Sequence, residues 1–318
     1  AKQREREKAL SVLVTGMEMV ENYCQNIPPQ AYALAEHYWP GPLTMILEDK
    51  GVVSALVNDG SGTLGVRCPD HPVATAIIRE AGVPIAAPSA NRSGRPSCTC
   101  AQDVMEDMDG RIDGIVDGGP CTVGVESTIL DLTCTPPRLL RPGGLPLEEL
   151  EAVLGHVEID KAVTSPLKPG EQPKAPGMKY RHYAPKAPVT VVTGGPEASA
   201  EEIACRLQPG DGVICFDEFA ARFAGYTVET LGPKGDKSVQ AQRVFDALRA
   251  FDSVEVGQIY AQCPDHRGLG LAINNRLKKA AGFHIVDADC PRVVLGLTGG
   301  TGAGKTSALK AIQALGGE

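Results

Sequence analysis

Short apolar runs alternate with amphipathic stretches along most of the chain, the pattern of strands and helices in turn. In the first half, residues 43–47 and 64–67 read as strands. Pro28-Pro29 opens a helix toward His37, since proline is tolerated in the first helical turn. Residues 73–81 carry apolar positions at helical spacing and are stopped by Gly82. Residues 83–87 form a strand of small side chains that enters the polar loop Pro88-Ser89-Ala90-Asn91-Arg92-Ser93-Gly94. A helix is expected over 101–108, strands over 114–117, 127–132 and 138–140, and a closing helix over 147–154. Several connections are too short for a helical crossover. The spacing therefore predicts an α/β layer with a twisted mixed sheet over residues 1–155, not an all-parallel one.

The pattern breaks between 156 and 188, where Pro166, Pro169, Pro173, Pro176, Pro185 and Pro188 forbid a continuous helix. This linker carries Lys179-Tyr180-Arg181-His182-Tyr183, side chains suited to lying across a site as a lid. A second, smaller α/β domain is expected over 189–287. Its strands fall at 189–193, 213–216 and 258–261, and its helices at 239–251 and 269–281. Ser199 with Glu202 reads as a capping box for another helix through Leu207. The alternation suggests a Rossmann-like unit, although no G-x-G-x-x-G loop is present. Residues 291–318 form a last, incomplete unit. An apolar strand at 292–297 leads into Gly299-Gly300-Thr301-Gly302-Ala303-Gly304-Lys305-Thr306 and a helical stretch to Leu315.

Composition narrows the function classes. With 31 basic and 39 acidic residues the net charge is −8, and aromatics are only 4%. Neither a broad nucleic-acid surface nor a stacking platform is expected. The sequence contains no apolar run of membrane-spanning length. The ten cysteines include no C-x-x-C pair, so they read as free thiols in a reducing cytoplasm and not as a zinc site.

The string at 299–306 fits G-x-x-x-x-G-K-[ST] between a strand and a helix. Gly299 and Gly304 would let backbone N–H groups approach phosphate, Lys305 would reach β/γ-phosphates and Thr306 would hold Mg²⁺. Too few residues follow it to supply a Walker-B carboxylate. Elsewhere the basic candidates are Lys2, Arg4 and Lys8 at the start, and Arg67 and Arg141 at strand ends, where open α/β sheets bind ligands. Ser89 and Asn91 sit in a loop suited to phosphate or ribose, or equally to an ordinary turn, and Glu126-Ser127-Thr128 is open in the same way. No Ser/His/Asp order or H-E-x-x-H is present.

Taken together, several loops resemble the threonylcarbamoyl-AMP synthases of YrdC-like fold. They are residues 37–44 (HYWPGPLT), 66–72 (VRCPDHP), 88–94 (PSANRSG), 117–120 (DGGP), 126–128 (EST) and 140–144 (LRPGG). The linker at 175–185 (APGMKYRHYAP) resembles the long form of that family, which adds a C-terminal Rossmann-like domain. The resemblance implies a reaction that joins L-threonine, bicarbonate and ATP with Mg²⁺ into threonylcarbamoyl-AMP and pyrophosphate. A downstream tRNA threonylcarbamoyltransferase then uses the product.

Carried over by motif, the resemblance implies Lys2 and Arg4 as catalytic residues. It places ATP at Arg4, Lys8, Thr63, Ser89, Asn91, Ser97, Arg141 and Tyr183, and threonine at Arg67, Ala87 and Ser127. Two departures accompany it. The family's Pro-Thr-Glu-Thr-Val-Tyr-Gly-type segment would precede residue 1, so the chain as given is expected to be a poor or inactive synthase. Leu13 stands where many members have histidine. The tail from Val294 resembles the start of a dephospho-CoA kinase, which implies a fusion. The competing readings are an RNA-binding module of the same fold and a P-loop nucleotide kinase fragment.

Overall fold

A computed structural model describes residues 9–165, 183–290 and 305–314. The chain divides into one unit up to Ala288 and a short one from Asp289, of which the helix Lys305–Ala314 is described.

The first sheet has eight strands: β1 Ser11–Leu13, β2 Cys24–Gln25, β3 Leu43–Asp49, β4 Thr63–Arg67, β5 Ile85–Ala87, β6 Thr128–Asp131, β7 Arg138–Arg141 and β8 Glu158–Ile159. Their order is β5-β1-β4-β3-β6-β7-β8, with β2 beside β3. The β1/β4, β3/β6 and β7/β8 pairs are parallel and the rest antiparallel, which is the mixed sheet the short connections predict. Leu43, Met45, Leu47, Leu64 and Val66 are buried in its core. Each such side chain contributes roughly 1.5–3 kcal/mol on burial, so a one-residue slip of β3 against β4 is strongly disfavoured.

The second sheet is all parallel: β9 Val189–Thr193, β10 Gly212–Cys215, β11 Thr227–Thr230, β12 Ile259–Gln262 and β13 Ile285–Asp287. One face packs under the helices Lys237–Ala250 and Gly270–Ala280, through Phe245, Leu248, Ile273 and Leu277. The other packs under the helix Pro196–Arg206 through Ala200 and Ile203.

Local chemistry explains most helix bounds. Pro72 opens Pro72–Ala81, and Gly82 at φ +65° closes it. The Asp236 carboxylate caps Lys237–Ala250 by accepting from the Ser238 and Val239 N–H groups.

Several expectations are corrected. Residues 114–117 form no strand; Gly114 opens the stretch, Gly118 and Gly119 follow it, and the Asp117 carboxylate accepts from the Gly119 N–H. Ser199 caps nothing: the helix starts three residues earlier at Pro196, and the buried Ser199 hydroxyl donates back to the Pro196 carbonyl. The first sheet does not end at 155, because β8 pairs with β7 and the helix Lys161–Thr164 follows it. The second sheet has the order β11-β10-β12-β9-β13. In a Rossmann sheet the first two strands are neighbours. Here β12 lies between β9 and β10.

Candidate active site

Strand register brings the chemistry of the first sheet to one end. Arg67 closes β4 opposite Thr44 of β3, Thr44 pairs with Ile129 of β6, and Ile129 pairs with Arg141 of β7. Arg67 and Arg141 thus lie in one transverse row, about 14 Å apart at the spacing of neighbouring strands. Ser127 stands at the entry to β6, and its hydroxyl lies 2.7 Å from that of Thr44. Arg141 is buried and donates from Nη2 to the Ser127 carbonyl at 2.8 Å and to its hydroxyl at 3.2 Å.

The two guanidiniums differ in their partners. Arg67 donates from Nε to the Gly41 carbonyl at 3.2 Å, and among the described residues its terminal nitrogens meet no acceptor. Burial lowers its pKa, and the positive charge of Arg141 lowers it further. A guanidinium in this setting favours an incoming carboxylate or phosphate. Arg141 already has a carboxylate beside it. Burial lowers its pKa too, while Glu126 opposes that shift.

Glu126 organises the wall behind the row. Its Oε1 accepts from the Ser97 hydroxyl at 2.9 Å, and its Oε2 accepts from Nε of Arg276 at 2.7 Å. Burial alone would raise its pKa, but Arg276 and Arg141 hold the carboxyl well below the usual range. Tyr183 is buried at φ +65°, its ring 5.1 Å from Phe245. Burial first, and then the Glu126 charge and hydrogen bond, push its phenol pKa up. Lys279, one helical turn beyond Arg276, is buried, and burial followed by repulsion from Arg276 and Arg141 pushes its pKa down to about 7.

Of the residues singled out in the sequence, Arg67, Ser97, Ser127, Arg141 and Tyr183 come together here. Thr63 does not. It opens β4, roughly 13 Å along the strand from Arg67, with its hydroxyl against Ser61. Ala87 ends the edge strand β5 opposite Ser11, two strands from β4, and exposed Ser89 follows it. Asn91 is buried and donates to the Arg92 and Arg95 carbonyls, while its Oδ1 meets no partner.

Lys2, Arg4, Lys8, the linker 179–182, Gly299 and Gly304 lie outside the described residues. Lys305 opens a helix and Thr306 is exposed on it. Sequence reasoning missed Thr44, which shares its row with Arg67 only through pairing register. It also missed Arg276, which reaches the site from another sheet. The only local signal for Arg276 is a polar run, Asn274-Asn275-Arg276, inside an otherwise apolar helix face.

The chain is similar to known proteins along most of its length. Residues 1–143 match a family model shared by Sua5, YciO and YrdC and described as "Telomere recombination". Residues 145–282 match one described as "Threonylcarbamoyl-AMP synthase, C-terminal domain". A threonylcarbamoyl-AMP synthase of Bacillus subtilis is 44% identical over 90% of this chain and 83% of its own. One from Pyrococcus abyssi is 43% identical over 90% and 84%. The crystal structure of P. abyssi Sua5 complexed with L-threonine superposes with a TM-score of 0.84 at 41% identity, covering 90% of this chain and 84% of that one.

Proposed function

The chain belongs to the threonylcarbamoyl-AMP synthase family, and on that premise we propose that the Arg67–Arg141 row is where its substrates meet. The activity is synthesis of threonylcarbamoyl-AMP. The observation that carries the placement is a pair of guanidiniums at one sheet end, in a chain of net charge −8, with the hydrogen-bonded Thr44 and Ser127 hydroxyls on the strands that lie between them. Threonine carboxylate, bicarbonate and ATP are all anionic, so gathering them requires fixed positive charge.

In this reading Arg67 grips the threonine carboxylate and Ser127 lines its pocket, while Ala87 on the edge strand β5 stands apart from it. Arg141 and Tyr183 face the nucleotide, with Ser97 and Ser89 along its phosphates, and Lys2, Arg4 and Lys8 complete the cationic lining; Asn91, whose side-chain amide N–H groups serve the Arg92 and Arg95 carbonyls, has no side-chain donor left for a phosphate. The position of Thr63 argues against a nucleotide contact there. The threonine amine attacks the bicarbonate carbon and water leaves, giving a carbamate. A carbamate oxygen then attacks the α-phosphorus, and pyrophosphate departs. No covalent enzyme intermediate is needed; positioning and charge do the work. Mg²⁺ enters with ATP as part of the substrate. In this reading the product passes to a tRNA threonylcarbamoyltransferase and the reaction runs in the cytoplasm. Among the described residues no helix is long and apolar enough to cross a membrane.

The experiment is pyrophosphate release from ATP, with threonine and bicarbonate each omitted in turn. Release that needs both supports the reading; ATP breakdown indifferent to threonine would sink it. Residues 299–306 carry a separate phosphate-binding reading, resembling a dephospho-CoA kinase start. ATP binding by this segment should be lost in Lys305→Ala.

A further inference from the structure

The residue that fixes Glu126 comes from a helix packed on the second sheet. Arg276 lies on the helix Gly270–Ala280, is 0% exposed, and stands 5.6 Å from the Tyr183 ring centroid. Its Nε donates to Glu126 and its Nη1 to the Asn275 side chain at 3.0 Å, while its buried Nη2 meets no acceptor. Burying a guanidinium so deeply is costly unless it is paired, and Glu126 is the carboxylate that pairs with it. Joining the two sheets does not require it. Arg249 with Asp107, Arg95 with Asp252, Gln242 with the Thr122 carbonyl and Asn275 with the Val163 carbonyl already bridge them.

We infer that Arg276 is a positioning residue for the synthase reaction: it locks the Glu126 carboxylate, and through it Ser97, Tyr183 and the Ser127–Arg141 wall. The inference rests on the reading that this wall lines the substrate site. Glu126 spends one oxygen on Ser97 and the other on Arg276, and it also meets the Tyr183 phenol. The next residue along the chain, Ser127, accepts from Arg141 through its carbonyl and its hydroxyl, and Tyr183 is a further partner of Arg141. Loss of Arg276 frees the carboxylate to rotate, and burial then favours its protonated form. The charged and titratable groups facing it are Arg141, Tyr183 and Lys279, with Asp160 beyond Lys279.

The test compares the unsubstituted 318-residue chain with R276M, R276K and E126Q. In the ligand-free proteins, carboxyl infrared difference spectra between pH 8 and pH 5, referenced to E126Q, should show Glu126 protonating in R276M alone. In pyrophosphate release, R276M should lose at least tenfold in kcat/KM at pH 6 and distinctly less at pH 8.5. R276K should stay within threefold of the unsubstituted chain, and E126Q should be impaired about equally at both pH values. If R276M does not fold, the R276K and E126Q profiles still decide. A pH-independent loss, an R276K as poor as R276M, or an E126Q that matches the unsubstituted chain overturns the inference alone. An unsubstituted chain that releases pyrophosphate at the same rate with and without threonine overturns the functional reading as well.

Discussion

The backbone N–H of Gly144 donates to the Glu126 carbonyl at 3.0 Å, and Gly143 before it lies flat against the same strand entry. A Cβ on Gly143 would stand 2.3 Å from the Glu126 oxygen and 2.4 Å from the Ser127 carbon and Thr128 nitrogen. These are backbone atoms, so no rotamer change relieves the clash. Gly143→Ala is expected to cost about 3 kcal/mol through forced backbone movement and to displace Arg141. Urea unfolding checks it; a loss under about 0.5 kcal/mol, no more than an ordinary surface substitution, would show that the two segments separate freely.

Arg67→Ala should raise the KM for threonine far more than that for ATP. A charge-assisted bond between guanidinium and carboxylate is worth about 2–3 kcal/mol when desolvated, a threonine-binding loss of roughly 30- to 150-fold. Threonine titration calorimetry gives a second readout. Equal losses for both substrates would remove Arg67 from the threonine carboxylate.

Arg249→Met attacks the joint between the sheets. The side chain of Arg249 donates to the Pro96 and Ser97 carbonyls and pairs with the buried Asp107 carboxylate at 3.0 Å. Arg95 and the Arg92 N–H remain on Asp107 in the variant, so the carboxylate is not wholly stranded. A loss of about 3 kcal/mol is expected, at the low end for breaking a buried pair. Denaturant midpoints measure it. Arg249→Lys should recover only part, because a single ammonium cannot serve all of these acceptors.

Lys279→Met should change how stability depends on pH. Burial and its arginine neighbours hold the Lys279 pKa at about 7, against 10.5 for an unperturbed lysine. Between those values the unfolded chain binds a proton that the folded chain does not, so this group makes stability rise with pH. The methionine variant lacks that proton. Its gain in Tm over the unsubstituted chain should be largest near pH 6.5 and shrink toward pH 9. A gain that is constant across this window would refute the assignment.

How far the sequence could be read depended on whether a signal was local. Pro72 and Gly82 bracket a helix of 10 residues, and both ends were legible because proline and glycine act through their own backbone. The helices Ala101–Met108 and Leu147–Leu154 followed from apolar spacing alone. Ser199 misled because its sequence neighbours fit a capping box, while Pro196 upstream offered a stronger start. β11 and β13 escaped notice because Thr227–Thr230 and Ile285–Asp287 are short and only partly apolar. In the site, Arg67 and Arg141 were visible as strand-end cations. Thr63 rested on the resemblance alone, and it opens β4 at the end away from Arg67. Arg276 was invisible, since nothing within its own helix reports a carboxylate 150 residues away.

The order of the second sheet also sets when it can assemble. Val189 of β9 bonds on one side to β12, where it faces Ile259, and on the other to β13, through Val191 and Ile285. Until about 70 further residues have left the ribosome, the first strand of this sheet has no neighbour at all. At about 5–20 residues per second that is a wait of roughly 4–14 s, with an apolar edge unsheltered. Translation speed over residues 190–262, and any chaperone that binds extended apolar segments, should therefore weigh more on the yield of this half than its finished stability suggests.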